Sequence, residues 1–344
     1  MLSLLLAGCV NLPEARSASC ALVDGPPIAT TSDGDWATTE IDVLTYNIEG
    51  LGWPARKGRG HYLEEIGNEM ALMRIRGDAP HIVLFQEVFS NSAVRAIEAG
   101  LYPSSVNGPR RTQRRPQNGY GSLEGKKRPD RGEIGLRIVS GGLMTVSEFP
   151  IVSSHAEPFP RGSCAGFDCL ANKGMLLAEI AVPGVPGTVL VFNTHLNAQR
   201  SSRVAPRRYH AAHARQTEAL VQFIEKTRSH LPVIFGGDLN MRHSEERFEV
   251  FAEGQTLDLV HQHCIDNDDS CTVEMSWDGD APWIDTQDLQ LFASGASVEV
   301  RPVRVAAMFD GAKEPKLSDH DGLRVTYELR WRTDGVGPEP HCPA

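Results

Sequence analysis

The sequence predicts a single α/β domain, and three observations support that fold class. Short apolar runs alternate along the chain with segments of helical periodicity. No linker or shift in composition divides these runs within the 344 residues, which favours one large domain over two. Apolar residues make up 41% of the chain and charged residues 23%, which is the usual balance for a globular protein.

The individual elements follow from the spacing of the apolar residues. Leu63, Ile66 and Met70 recur at helical spacing and predict one helix, while Leu220 and Phe223 belong to the apolar stripe of a longer one. The predicted helices are residues 62–76, 91–99, 207–228 and 244–252. The predicted strands are residues 41–48, 81–86, 142–147, 175–182, 189–195 and 232–237, with strands and loops over 287–330.

Polar side chains stand at the ends of four apolar runs and before a fifth. A buried strand that stops at Asn, Glu, His or Asp presents that side chain at the edge of the sheet, where functional sites are built. Carboxylate, amide and imidazole groups together are typical of phosphoryl transfer with a hard metal ion. The five groups are Tyr46-Asn47, Gln86-Glu87, Asn193-Thr194-His195, Gly236-Gly237-Asp238-Leu239-Asn240 and Ser318-Asp319-His320.

These residue types suit a divalent cation and an acid–base group. Glu87 is a strand-end carboxylate of the kind that Mg²⁺ prefers, and Mn²⁺, Co²⁺ and Ca²⁺ remain open. Asn47 either adds a neutral oxygen ligand or orients Glu87, and Asp319 is placed to bind a metal. The imidazole of His320 can take a proton from an attacking water near neutral pH, so it is the candidate general base.

The N-terminus and the cysteines indicate export. Residues 6–9, Leu-Ala-Gly-Cys, resemble a bacterial lipobox whose Cys9 would be acylated, although no basic segment precedes it. A start codon placed too far downstream would explain that defect, and a frayed apolar terminus is the alternative. The other six cysteines do not have the spacing of zinc sites. They predict disulfides instead, most simply Cys164–Cys169, Cys264–Cys271 and Cys20–Cys342.

Residues 110–131 differ in charge from the rest of the chain. The protein has a net charge of −10, but this segment holds eight Lys or Arg against two acidic residues. Its proline and glycine content predicts an exposed, mobile loop. Such a loop is either a solvated insertion or a surface that collects phosphate-bearing substrates or anionic lipid.

An ordered set of motifs connects the chain to a known superfamily. The motifs are Tyr46-Asn47-Ile48, Gln86-Glu87-Val88, Gly142-Leu143 with Phe149-Pro150-Ile151, Asn193-Thr194-His195-Leu196, Gly237-Asp238-Leu239-Asn240 and Ser318-Asp319-His320. Over roughly residues 40–330 this set resembles the endonuclease/exonuclease/phosphatase superfamily. The resemblance implies the deoxyribonuclease I-like fold, a four-layer α/β sandwich of two packed, mostly antiparallel β-sheets flanked by helices. Within it, Asp168-Cys169-Leu170-Ala171-Asn172-Lys173-Gly174 resembles the bacterial sphingomyelinase C branch.

The resemblance also implies a division of the chain and roles for further residues. We expect a signal remnant at 1–9, a linker at 10–39, a catalytic domain at 40–332 and a tail at 333–344. Asp238 and Asn240 would position the attacking water and hold a phosphate oxygen, and His195 would donate a proton to the phosphoryl or leaving-group oxygen. Asn172 and Lys173 would contact the substrate phosphate, or else form a turn with an exposed lysine.

A carboxylate that fixes the tautomer of His320 is expected upstream, at the start of a strand. Asp285 and Asp288 both fit that description. We prefer Asp288, because an alternating apolar and polar run follows it directly.

The sequence therefore predicts a metal-dependent phosphodiesterase, expected to be monomeric, with a phospholipid such as sphingomyelin as the favoured substrate. A secreted nuclease of the deoxyribonuclease I type is the alternative. Trp277 and Trp283 fit a lipid interface, a choline group or the core equally well. A non-catalytic surface binding protein is disfavoured, because Glu87, Asp238 and His320 are all present.

Overall fold

The computed structural model describes residues 12–17, 30–52, 56–116, 119–276 and 281–334. The proposed lipobox with Cys9, the proposed Cys20–Cys342 bridge and Trp277 lie outside the described residues. None of the helices within the described ranges has the length and apolar character that crossing a membrane requires.

The α-helices and strands occur in the following order along the chain. The helices are α1 (Arg59–Arg76), α2 (Asn91–Ala99), α3 (Pro206–Thr227), α4 (Glu245–Gly254) and α5 (Val260–Asp266). The first seven strands are β1 (Thr30–Asp33), β2 (Trp36–Asn47), β3 (Ile82–Gln86), β4 (Ser104–Asn107), β5 (Met144–Ser147), β6 (Ile151–Pro158) and β7 (Gly174–Ile180). The others are β8 (Val189–His195), β9 (Val233–Asp238), β10 (Asp258–Leu259), β11 (Thr272–Glu274), β12 (Asp288–Ala293), β13 (Val298–Met308) and β14 (Gly322–Arg332).

The strands form two sheets that are mixed but mostly antiparallel. The first has the order β11-β13-β14-β2-β3-β5-β4, with β1 added beside β2, and the second has the order β10-β12-β9-β8-β7-β6. Each sheet contains a parallel pair near its centre, β2 with β3 and β8 with β9. The two mixed sheets and their flanking helices confirm the predicted fold class.

Three apolar clusters hold the layers together. Strand β2 shows the arrangement, because Val43 packs between the two sheets while its neighbour Leu44 packs under helices α1 and α2. On the other side, Phe192 and Phe235 of the second sheet pack against α3, for example against Phe223. Both faces of each central strand are therefore buried, which explains why these strands read as continuous apolar runs.

Polar side chains cross the apolar space between the sheets. Gln86 Nε2 donates to Asn193 Oδ1 at 2.9 Å. Gln290 Nε2 donates to the carbonyls of Val43 at 3.0 Å and Leu323 at 2.8 Å. These bonds satisfy buried polar atoms and fix how one sheet lies on the other. We refer to Gln86–Asn193 and Gln290 as the inter-sheet bridges.

The disulfides and the basic segment lie outside the two sheets. The disulfides Cys164–Cys169 and Cys264–Cys271 are present, with Cα–Cα distances of 5.2 and 5.1 Å. The basic segment 110–131 was predicted to be an exposed, mobile loop, and its described part is irregular apart from a short 3₁₀ turn at Pro129–Arg131. It is nevertheless anchored to the domain, because Leu123 is buried and the buried Arg208 donates to the backbone at Leu123, Glu124 and Gly125.

Candidate active site

The strand-end side chains of both sheets meet at one edge of the sandwich. Because β2 is parallel to β3, and β8 to β9, each pair ends together: Asn47 lies beside Gln86 and His195 beside Asp238. Strand β12 runs antiparallel to β9, so its first residue, Asp288, lies opposite Asp238 at the same edge. The fold thus gathers residues that are far apart in sequence.

Asp288, rather than Asp285, contacts the candidate base. His320 Nδ1 donates to Asp288 Oδ1 at 3.1 Å, and the second oxygen of Asp288 accepts a longer bond of 3.4 Å from the backbone N–H of Asn47. Asp285 is partly exposed and instead pairs with His243 at 2.9 Å. The preference based on strand alternation therefore matches the geometry.

Asp238 lies at the centre of the cluster. One of its carboxylate oxygens, Oδ2, accepts from Asn47 Nδ2 at 2.9 Å and lies 3.1 Å from His195 Nε2 and 3.8 Å from His320 Nε2. The other oxygen, Oδ1, accepts from the backbone N–H of Asn240 at 3.0 Å. Burial by itself would raise the pKa of Asp238, but His195, His320 and Lys173 hold that pKa well below its usual value. Asp238 is therefore a buried carboxylate kept in its charged form.

His320 is held in a negative environment. Burial by itself would lower the pKa of His320, but Asp288 and Asp238 outweigh it and raise the pKa to about 10. Its backbone is fixed as well, because Ser318 Oγ accepts from the His320 N–H at 3.3 Å and donates to the Asn47 carbonyl at 2.7 Å. The imidazole is charged at neutral pH as long as no other positive charge enters the cluster.

A second group of carboxylates lies next to Asn47. Glu87 is half-buried, has a positive φ of 59°, and its Oε1 lies 3.4 Å from Asn47 Nδ2. Glu49 pairs with Arg56 and Arg59, and Asp319 is exposed with Arg56 at 3.7 Å. Burial raises the pKa of Glu49, and the charges of Asp319 and Glu87 contribute to that rise. Glu49 was not among the predicted site residues, although an acidic residue two positions after a strand-end Asn was a usable signal.

The donor atoms at this edge fit a hard divalent cation. Side-chain ligand atoms of Asp238, Asp288 and His320 lie within 4.8 Å of one another, and Glu87 adds a carboxylate next to them. Asn47 Nδ2 donates to both Glu87 and Asp238, while Asn47 Oδ1 accepts from the Glu49 N–H at 3.0 Å. Closely spaced carboxylates are the ligands that Mg²⁺ or a similar ion prefers, and Asn47 fits the predicted role of orienting Glu87. The predicted ligand Asp319 lies at the exposed side of this edge, close enough to affect the pKa of His320 and of Glu49.

Lys173 and Asn172 occupy different positions relative to the cluster. Lys173 is buried, forms an ion pair with Asp168, and its Nζ lies 3.0 Å from His195 Nε2. Asn172 is also buried, but its amide donates to the backbone at 110 and 113 and accepts from Arg115 Nε at 3.2 Å. Lys173 thus borders the site directly, whereas Asn172 ties the basic segment to it.

A buried arginine missed by the sequence analysis supports the loop after β9. Arg247 NH1 donates to the carbonyls of Asn197 and Asn240, both at 2.8 Å. Asn240 itself has a positive φ of 52°, and its Nδ2 donates to the Leu196 carbonyl at 3.2 Å. Trp283 stacks on Phe248 of α4, with 5.8 Å between the ring centroids, and packs against the apolar cluster there. This packing favours a role for Trp283 in the core over contact with lipid or choline.

The fold and this edge define a class of enzyme, and comparison with known sequences gives the family. A sequence model described as the Endonuclease/Exonuclease/phosphatase family matches residues 44–320, which is most of the chain. The protein belongs to this family of phosphoric ester hydrolases. None of the curated proteins compared with the chain matches it.

Several solved structures share the fold at low sequence identity. The beta toxin of Staphylococcus aureus, in a variant with bound magnesium ions, is 19% identical with a TM-score of 0.57, and the match covers 83% of this chain and 99% of the toxin. Sphingomyelinase C from Streptomyces griseocarneus is 20% identical with a TM-score of 0.57 and the same coverage. TDP2 from D. rerio, complexed with a single-strand DNA product, is 16% identical with a TM-score of 0.53, covering 84% of this chain and 98% of TDP2.

Proposed function

We propose that the protein is a divalent-cation-dependent phosphodiesterase in which His320 and Asp238 assist in-line attack of water on phosphorus. The observation that carries this proposal is the buried Asp288–His320–Asp238 arrangement, with contacts of 3.1 and 3.8 Å, at an edge where both sheets end. Buried carboxylates on both sides of an imidazole are costly to keep unless they serve proton transfer or cation binding.

Each residue has a role that follows from its contacts. Asp288 accepts from Nδ1 of His320 and so leaves Nε2 facing the cluster, where a water proton can be taken. Asp238 and Asn240 would orient that water and a phosphate oxygen. His195, with Lys173 at 3.0 Å, would stabilise the developing charge on the phosphoryl or leaving-group oxygen.

Glu87 would hold the cation, and Asn47 would orient the Glu87 carboxylate through its Nδ2. The buried carboxylates of Asp238 and Asp288 would add negative charge beside the cation, while His320 stays free to act as the base. When bound, a divalent cation would supply positive charge that stabilises the phosphoryl oxygens and lowers the pKa of His320 towards neutrality. Asp319 would add a further carboxylate ligand on the exposed side of the site.

The substrate class we propose is a phospholipid such as sphingomyelin, cleaved to a ceramide-like lipid and phosphocholine. The supporting observations are the likeness to sphingomyelinase C and the buried Asn172-Lys173 pair beside His195. Nucleic acid is the second candidate, because an arginine-rich groove borders Asn172 and because TDP2, with its DNA product, shares the fold.

The cellular setting is part of the proposal. Two disulfides support an exported protein, and acylation at Cys9 would attach it to the cell envelope. We also propose a monomeric state and the division into residues 1–9, 10–39, 40–332 and 333–344, except that residues 30–39 belong to the catalytic domain, because β1 and the start of β2 are part of the first sheet.

The test is parallel hydrolysis of sphingomyelin, phosphatidylcholine, plasmid DNA, inositol phosphates and the soluble diester bis(4-nitrophenyl) phosphate, each with Mg²⁺ and with EDTA. We expect cation-dependent turnover of the soluble diester and of sphingomyelin. Turnover that is equal with EDTA would contradict the cation requirement. Cleavage of DNA alone would select the second candidate.

A further inference from the structure

Four apolar side chains stand exposed on one surface beside the candidate site. The exposed fractions are 47% for Ile134, 66% for Leu136, 45% for Ile138 and 41% for Phe167. We call these four residues the apolar patch. The two segments are adjacent, because Ile138 N–H donates to the Leu170 carbonyl at 2.8 Å and a Cβ at Gly132 would lie 3.0 Å from the Cα of Phe167. A cluster of exposed apolar groups of this kind marks an interaction surface.

The patch is held rigidly in this exposed position. Glu133, directly before it, is buried, forms an ion pair with Arg208 at 2.8 Å and accepts from the Gly166 N–H at 3.1 Å. Arg137, within it, donates to the Cys169 carbonyl at 2.5 Å, and Cys169 is bonded to Cys164. A buried ion pair and a disulfide therefore fix both segments, so the exposure of the apolar side chains is not the result of a frayed loop.

The patch is bordered by unneutralised positive charge. A groove of about 810 Å³ beside it is lined by Arg111, Arg114, Arg115, Arg137 and Arg161, among others. Within the described residues none of these five arginines forms an ion pair; the acidic residue in the groove, Glu133, is already paired with Arg208. Burial lowers the pKa of Arg115 to about 9, and the charges of Arg137 and Arg161 contribute, which shows that the three lie close together.

We propose that the apolar patch and its arginine border form a docking surface for an anionic phospholipid bilayer. At the surface of an anionic bilayer, acyl chains lie directly beneath negatively charged headgroups. The apolar side chains of the patch can contact the acyl chains, and the arginines beside them can pair with the headgroups. Nucleic acid would be served by the arginines alone and offers nothing to the exposed Leu136 and Ile138. The apolar side chains therefore favour lipid over nucleic acid.

The surface is connected to the candidate site through residues 172–173. Arg115 of the groove binds Asn172 at 3.2 Å, and the next residue, Lys173, lies 3.0 Å from His195. Docking by the patch would hold the catalytic edge beside the lipid headgroups. The use of this docking in catalysis rests on the proposed function, whereas the docking itself does not.

The experiment measures binding of the full chain to vesicles of phosphatidylcholine alone and of phosphatidylcholine mixed with phosphatidylglycerol. The parent is expected to bind the mixed vesicles, and added salt should weaken that binding. Leu136→Ser should weaken it by roughly tenfold, because a largely exposed leucine loses its apolar burial in the bilayer. Arg111→Ser should weaken it by roughly fivefold and reduce its salt dependence.

Ile75→Ser is the matched control, since Ile75 is 80% exposed on α1 and distant in sequence from the patch. It should bind vesicles as the parent does. Melting temperature and turnover of the soluble diester should be unchanged in all three variants, which separates docking from folding and chemistry.

Three results would overturn the proposal: no binding of the parent to mixed vesicles, an equal loss in the Ile75 control, or unchanged binding of Leu136→Ser. A parent dimer that Leu136→Ser converts to a monomer, without vesicle binding, would assign the patch to a second copy of the chain. If the parent binds a short DNA duplex but not vesicles, and Arg111→Ser loses that binding, the surface would be assigned to nucleic acid. Normal docking by a protein that cleaves no phosphodiester would leave the docking proposal standing and refute the proposed function.

Discussion

Replacing Asp288 by asparagine tests the central contact of the proposed site. The amide keeps the shape of the carboxylate but removes the charge that lies 3.1 Å from His320 Nδ1. At that distance, and with an effective dielectric constant near 20, two unit charges interact by about 5 kcal/mol. The retained dipole and the relieved desolvation offset part of this loss, which leaves about 3–5 kcal/mol and predicts a fall in kcat/KM of roughly 10²–10⁴-fold.

The assay is hydrolysis of bis(4-nitrophenyl) phosphate with saturating Mg²⁺, which does not depend on lipid or DNA recognition. The matched control is Asp285→Asn, because Asp285 pairs with the exposed His243 and a surface pair of this kind is worth about 0–1 kcal/mol. In the cation-free protein the pKa of His320, followed by NMR, should fall in the Asp288 variant and not in the control. A drop in activity of less than tenfold, or an unchanged His320 pKa, would refute the assignment.

Three further predictions concern the cation, pH and the basic segment. Glu87→Gln should abolish most activity and most of any rise in melting temperature caused by Mg²⁺, since Glu87 is the proposed carboxylate ligand; near-native turnover at equal Mg²⁺ would contradict this. Burial lowers the pKa of His213 to about 3 and that of His261 to about 4, so below pH 6.5 the unfolded chain binds protons that the folded chain does not. Stability to urea should fall with decreasing pH by about 1.4 kcal/mol per pH unit for each of these two histidines, and His261→Leu should reduce the slope by about that amount. Arg111→Ser with Arg114→Ser should reduce the salt slope of DNA binding by roughly 0.9 per lost phosphate contact if the protein is a nuclease, and should leave hydrolysis of micellar sphingomyelin nearly unchanged if it is not.

The elements that were predicted well from the sequence are those whose apolar residues recur with a clear helical or strand spacing. Helix α2 and strand β8 begin and end where predicted, at 91–99 and 189–195, and α3 differs by one residue at each end. Strand β6 was not predicted. Its sequence, Ile-Val-Ser-Ser-His-Ala-Glu-Pro, has little apolar alternation, because β6 is an edge strand paired only with β7 in the second sheet.

The candidate site was predictable where a residue stands at a strand end, and not where its position depends on tertiary contacts. Asn47, His195 and Asp238 end their strands and lie together, as their sequence positions suggested. Arg247 lies on a helix with no motif around it, and only the folded chain brings its guanidinium to the Asn240 carbonyl. Asp168 had no expected partner, yet it forms the ion pair that positions Lys173.

The inter-sheet bridges imply that the proposed site exists only while the two sheets keep their native alignment. The first sheet contributes Asn47 and Glu87, and the second contributes His195, Asp238 and Asp288. A slip of one sheet over the other by a single residue would separate Asn47 from Asp238 and would also leave Gln290 without acceptors in an apolar interior. A misaligned arrangement of the two sheets is therefore higher in free energy, because it breaks hydrogen bonds both in the site and between the sheets. We therefore expect the catalytic edge to form in the same cooperative step in which the two sheets pack together.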